Sequence, residues 1–149
     1  MSKPLIKPLL AATLLASLAS SVFALEYRST ARNGVILYDA PQESSTKRFV
    51  LSANIPLEIL AEQGNWLRVR DRDGTLAWLT KADVSSTRYV QVNRLAEVRK
   101  DAAANSALLF KVERNVVIEL LQDTRTGWLK IKHRDGAIGY IRIEDVWGA

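Results

Sequence analysis

The stretch NWLRVRDRDGTLAWLTKADV, residues 65–84, decides the fold of this chain. Its first half alternates, because Leu67 and Val69 stand between a tryptophan and two arginines. A period of two is typical of a β-strand with one buried face, so the Leu and Val side chains are predicted to face a core. An Asp-Gly pair then separates this run from a second apolar run, LAWL, and that order predicts a β-hairpin.

A second copy of the stretch, GWLKIKHRDGAIGYIRIEDV, occupies residues 127–146. At a shift of 62 residues, seven of the nineteen positions from Trp66 to Val84 are identical in the two copies. A shift of 61 aligns the upstream segments, including Asn54 with Asn115. A repeat that preserves apolar and turn positions while charges vary indicates two copies of one structural unit.

Both units are predicted to consist of short strands and turns. Asp73-Gly74 and Asp135-Gly136 each lie at a predicted hairpin turn. After Ala24 no segment shows the period of a long amphipathic helix, so the fold class is predicted to be all-β. We place the first unit at residues 25–88 and the second at 89–149, with residues 85–87 as the linker and 89–92 as an opening strand.

Composition excludes several kinds of chemistry. The chain has 149 residues, no cysteine and one histidine. A disulfide scaffold, a thiol nucleophile and a multi-histidine metal site are therefore excluded, and no catalytic residue, metal or cofactor is predicted. Units of about 60 residues bury too little surface to be very stable alone, so the two units are expected to pack against each other.

The first 24 residues have the pattern of a secretory signal peptide. Lys3 and Lys7 precede an apolar run, and Val22 and Ala24 occupy the positions read by a signal peptidase, so cleavage is expected after Ala24. The alternative is an uncleaved anchor, but the apolar run is shorter than the roughly 20 residues that span a membrane. No cysteine follows the run, so the product is not expected to be a lipoprotein. A periplasmic or secreted protein without stable membrane insertion is predicted.

The mature chain is only mildly basic. Without Lys3 and Lys7 it carries 19 basic and 16 acidic residues, a net charge of +3. This excess is small for a nucleic-acid-binding protein, and export separates the chain from the genome. Nucleic acid is therefore not an expected partner.

The repeated motifs resemble the bacterial SH3-like (SH3b) domain family. The resemblance rests on the Gly-Asn-Trp or Gly-Trp opening, the alternating basic strand, the Asp-Gly turn and the closing AWLTKADV or GYIRIEDVWG. The resemblance covers about residues 34–84 and 95–148. The chain as a whole is similar to short exported proteins made of two tandem SH3-like domains. The resemblance implies two small five-stranded β-barrels and a binding or targeting role in the cell envelope.

The segment ILYDAP, which contains Tyr38, resembles the start of a eukaryotic SH3 domain. The groove of such a domain binds proline-rich peptides. The closing motif has Thr80 and Asp83 in the first copy, and Arg142 and Asp145 in the second, where that groove has Pro and Tyr. Recognition of proline-rich peptides is therefore not expected.

Each unit has a tryptophan followed on the same strand face by two cations. An aromatic plane beside fixed positive charge suits sugar chains that carry acidic peptides, as in peptidoglycan. Trp147, by contrast, is predicted to cap the second unit or to fill the seam between the units. The candidate ligand-binding residues are Tyr38, Trp66, Arg68, Arg70, Trp78, Trp128, Lys130, Lys132 and Tyr140.

Two functions remain open on sequence alone. The first is a non-catalytic exported module that binds peptidoglycan or its fragments. The second is an adaptor that binds another envelope protein, such as a cell-wall enzyme, through aromatic and arginine anchors. An enzyme is not expected.

Overall fold

The computed structural model describes residues 1–5 and 25–149. Residues 6–24, which hold most of the predicted signal peptide, lie outside the described residues. In the part of the chain that is described, no helix has the length and apolar character needed to span a membrane.

The first unit is a seven-stranded antiparallel sheet with the order β3-β2-β6-β5-β4-β1-β7. A short 3₁₀ turn, Lys81–Asp83, separates its last two strands. The strands are β1 (Glu26–Thr30), β2 (Val35–Tyr38), β3 (Lys47–Leu51), β4 (Pro56–Gln63), β5 (Trp66–Arg70), β6 (Leu76–Thr80) and β7 (Val84–Ser85).

The second unit repeats this order as β10-β9-β13-β12-β11-β8-β14. It also has a 3₁₀ turn, Ile143–Asp145, before its last strand. The strands are β8 (Tyr89–Val92), β9 (Ala96–Arg99), β10 (Leu108–Val112), β11 (Val117–Asp123), β12 (Trp128–Lys132), β13 (Ile138–Arg142) and β14 (Val146–Trp147). The identical strand order confirms the all-β class and the tandem repeat.

The sheets differ from the predicted barrels in closure and strand number. In the described residues no ladder joins β3 to β7, so the pairing leaves two edge strands and does not close a barrel. Each sheet has seven strands instead of five because segments at both ends of the unit, β1 and β7 in the first, also join the ladder. Ser85, which we placed in the linker, belongs to β7 and pairs with Ser29.

The hairpins form where the Asp-Gly pairs predict them. Gly74 has a φ of +87° and Gly136 a φ of +94°, a region that glycine enters without steric cost. The Gly74 amide donates to the carbonyl oxygen of Asp71 at 3.1 Å, and the Gly136 amide donates to that of His133 at 2.9 Å. In both copies the turn therefore orients the two strands that carry the candidate site.

Each unit has its own apolar core. As the alternation predicts, Leu67 and Val69 in β5, and Leu129 and Ile131 in β12, are almost completely buried. The first core consists of Val35, Leu37, Leu57, Leu67, Val69, Ala77 and Leu79. The second consists of Val90, Val92, Ala96, Val98, Val112, Ile118, Leu129, Ile131, Ile141 and Val146.

The two units also pack against each other. The Trp147 ring lies 5.2 Å from the Tyr27 ring, edge to face, and the Arg88 guanidinium lies 5.7 Å from the same Tyr27 ring. Burial lowers the pKa of Arg88 and raises the pKa of Tyr27. The Trp147 side chain therefore lies in the seam, one of the two positions that the sequence predicts for it.

A second contact between the units lies at Arg72. Its Nη2 donates to Asn115 Oδ1 at 2.7 Å, and its Nη1 donates to the Val92 carbonyl oxygen at 3.3 Å. Nearer the start of the second unit, the Tyr89 amide donates to Ser29 Oγ at 3.2 Å. These polar contacts supplement the aromatic seam, so the units contact each other as their small size leads us to expect.

Gly139 provides a test of the packing in the second unit. A Cβ added there would lie 2.6 Å from Val98 Cγ1 and 2.9 Å from the Arg99 carbonyl oxygen. We expect Gly139→Ala to lower the free energy of unfolding by about 1–3 kcal/mol, because the added methyl group would overpack the space beside the strand. Chemical denaturation measures this value. Unchanged or increased stability, the usual result of replacing a strand glycine by alanine, would contradict the prediction.

Candidate functional site

The outer face of the first sheet carries three aromatic side chains and one arginine side chain. Cα register places Tyr38 opposite Trp78, and Trp78 opposite Arg68, across β2, β6 and β5. The Trp66 ring meets the Tyr38 ring edge to face, with centroids 5.4 Å apart and planes at 87°. All three aromatic side chains are half-buried, whereas Arg68 is exposed. Four of the predicted site residues therefore lie together on one face.

Arg70 lies further along the same strand and is held by an acidic partner. Its Nε donates to Glu58 Oε2 at 2.7 Å, and its Nη2 lies 2.5 Å from the same oxygen. Glu58 is only 3% exposed, so its charge requires a partner in the folded chain. The structure thus gives Arg70 a role in stabilising the fold.

Trp66 also lines a groove of about 710 Å³ at one end of this face. Its lining consists of residues 41–43 from the β2–β3 loop, Asn65 and Trp66, and residues 80–82. Ser45 Oγ stabilises the loop by donating to the Gln42 carbonyl oxygen at 2.7 Å, and it lies 3.0 Å from the Ala40 carbonyl oxygen. This groove is large enough for a small ligand or a short stretch of a polymer.

A groove in the second unit overlaps the aligned place only in part and has a different chemical character. Its volume is about 340 Å³, and the Arg142 guanidinium lies over the Trp128 ring, 5.0 Å from the centroid. Arg99 occupies the position that Tyr38 has in the first unit, opposite Tyr140 on β13. The residues lining this groove are Leu95, Ala96, Glu97, Arg99, Ala104, Lys111, Trp128, Arg142, Glu144 and Asp145.

The remaining predicted residues of the second unit do not line this groove. Lys130 lies opposite Tyr140 on the outer face. Lys132 lies opposite Glu119 and lines a separate cavity with Tyr89 and His133, beside the contact between the units. Of the predicted site residues, the tryptophan alone therefore lines the groove in each copy.

Several groove residues were missed as site candidates. Asn65 and Gln42 gave no signal, because isolated amides in predicted loops are common. Thr80 and Arg142 were compared only with the groove of eukaryotic SH3 domains, so their position opposite the two tryptophans was not anticipated. Within residues 1–5 and 25–149, no group of three His, Asp or Glu side chains could hold a metal ion.

Comparison with known proteins agrees with the repeat. A family model described as the bacterial SH3 domain matches residues 31–86 and again residues 92–148. No curated protein matches the sequence.

Solved structures offer only distant likenesses. NlpC2 and NlpC1 from Trichomonas vaginalis are 17% and 19% identical, each with a TM-score of 0.39, over 83% and 91% of this chain. An NlpC/P60 family protein from Bacillus cereus is 13% identical with a TM-score of 0.37, over 81% of this chain. The chain spans about half the length of these proteins, 48%, 50% and 55% respectively.

The different surroundings of Arg68 and Arg70 lead to a stability test. Arg70→Met leaves the buried Glu58 carboxylate without its cation and should lower the free energy of unfolding by about 1–2 kcal/mol, the value being moderated by solvent at Arg70. Arg68→Met, on an exposed side chain of the same strand face, is the matched control and should change stability by less than about 0.5 kcal/mol. Urea denaturation compares the two. Equal effects would contradict the assigned role of Arg70.

Proposed function

The chain belongs to the bacterial SH3 domain family, and we propose that it is a non-catalytic exported module that binds peptidoglycan or cell-wall fragments. The observation that carries the proposal is the outer face of the first unit, where Tyr38, Trp66 and Trp78 lie beside Arg68. Aromatic rings contact the apolar faces of sugars, and a guanidinium binds carboxylates of attached peptides. A cell-wall polymer offers both groups.

We also propose that the protein is exported to the compartment where this polymer is found. The signal-peptide pattern of residues 1–24 supports a periplasmic or secreted location, with the polymer or another envelope protein as partner. Two units on one chain would raise avidity if both engaged one polymer.

The absence of catalysis is part of the proposal. The chain has no cysteine, and its one histidine, His133, lies beside a hairpin turn. There His133 Nδ1 is 3.1 Å from Asp135 Oδ1, and its ring contacts that of Phe110 with centroids 5.5 Å apart. We assign the imidazole no role as a general base.

A second candidate function is suggested by the edge strand β3. Phe49 is 42% exposed and Val50 70% exposed on this strand. An edge strand with exposed apolar side chains can pair with a strand of another protein. An adaptor of this kind would bind an exported protein saturably and would not bind purified wall.

Co-sedimentation with purified peptidoglycan sacculi tests the first proposal. We expect the wild-type protein to bind, and Trp66→Ala to weaken binding about tenfold or more, since a central aromatic contact is lost. Phe49→Ala, which removes an exposed aromatic side chain from the edge strand, is the control and should bind normally.

Binding should also persist as salt is raised, because exposed charges are screened whereas aromatic contacts are not. Wall recognition through this face would be excluded if the wild-type protein does not bind. It would also be excluded if binding disappears at modest salt and is unchanged by Trp66→Ala. The adaptor function would then be tested with Phe49→Ala and a captured envelope protein.

A further inference from the structure

The two tryptophans that start β5 and β12 face different cross-strand neighbours. Trp66 lies opposite Thr80, and Trp128 lies opposite Arg142, at the same register position of the repeat. Directly opposed side chains in an antiparallel pair are close enough to touch. The residue at this position therefore controls whether the indole face is open.

In the second unit the neighbour covers the ring. The Arg142 guanidinium lies 5.0 Å from the Trp128 centroid, within the range of a cation–π contact. Two other charged side chains that line this groove have partners: Asp145 accepts from Arg94 Nε at 2.6 Å, and Arg99 pairs with Glu97. A ligand would have to displace Arg142, which would reduce its affinity by about 2- to 30-fold.

In the first unit the neighbour is short and turned away. Thr80 Oγ1 donates to Asp83 Oδ2 at 3.1 Å, so the hydroxyl is held by the 3₁₀ turn. Among residues 25–149, no Lys or Arg side chain stacks on the Trp66 ring, whose aromatic neighbour is Tyr38, edge to face. The groove that this ring lines has a volume of about 710 Å³.

The lining of the first groove indicates the kind of ligand. The amides of Asn65 and Gln42 and the carboxylate of Glu43 line this groove together with the Trp66 indole. The ammonium of Lys81 is paired with Glu62. One apolar ring surrounded by amide and carboxylate groups suits a ligand with an apolar face and many hydroxyl groups, since those hydroxyls can both donate and accept.

We infer that the first unit alone carries an open glycan-binding groove, and that Arg142 closes the equivalent position over Trp128 in the second unit. This inference rests on the proposed function and narrows it to the sugar chain of the polymer and to one of the two units.

The test exchanges the two neighbours, using protein produced from the full-length sequence. One probe is peptide-free glycan strands released from sacculi, titrated by calorimetry; the other is intact sacculi, tested by co-sedimentation. Wild-type protein should bind glycan at about one site per chain. Arg142→Thr should add a second site, and Thr80→Arg should weaken the first about 2- to 30-fold. Trp66→Ala should lose binding, whereas Trp128→Ala should change affinity less than about twofold.

Acrylamide quenching of tryptophan fluorescence tests the closure without any ligand. Arg142→Thr should increase quenching, and this increase should vanish when Trp128→Ala is added. Arg142→Gln, which keeps a long polar side chain without the charge, is the second variant if threonine disturbs the strand. Circular dichroism confirms folding of each variant.

The outcomes separate the inference from the proposed function. Wild-type binding to sacculi but not to peptide-free glycan would overturn the sugar assignment and leave wall binding intact, whereas binding to neither probe would defeat the proposed function itself. Unchanged quenching in both Arg142 variants, or equal losses from Trp66→Ala and Trp128→Ala, would overturn the closure of the second groove.

Discussion

The alternation of side chains along β5 ties the candidate binding face to the core. Leu67 and Val69 are buried, so Trp66 and Arg68 must point to the opposite side of the sheet. A shift of one residue in the pairing would exchange the two faces and expose the core. The constraint that stabilises each unit therefore also determines which side chains are available to a ligand.

The small size of each core gives a physical reason for the contact between the two units. Each sheet buries only one compact core, and no disulfide supports it. The seam of Tyr27, Arg88 and Trp147 buries additional aromatic surface, and the Gly148 carbonyl oxygen accepts from Arg88 Nη2 at 2.8 Å. The end of the second unit thus contributes to the packing of the first strand of the first unit.

Local patterns predict the strands, the turns and the repeat, because their causes are local. Asn54 and Asn115, aligned in the two copies, both adopt positive φ, at 67° and 73°, which asparagine tolerates better than most residues. The Arg70 partner could not be predicted in this way. Its contact with Glu58 depends on the register between β4 and β5, which includes an irregularity after Ile59 that no local pattern indicates.

The repeat preserves a backbone and allows its surface to diverge. Thr80 and Arg142 occupy the same place in nearly the same hairpin, and both lead into a 3₁₀ turn, so core packing does not distinguish them. The difference affects only the outer face, where Arg142 covers the Trp128 ring and Thr80 leaves the Trp66 ring uncovered. Two units with equal folds can therefore differ in ligand access, and the motif that identifies the fold says little about which copy binds.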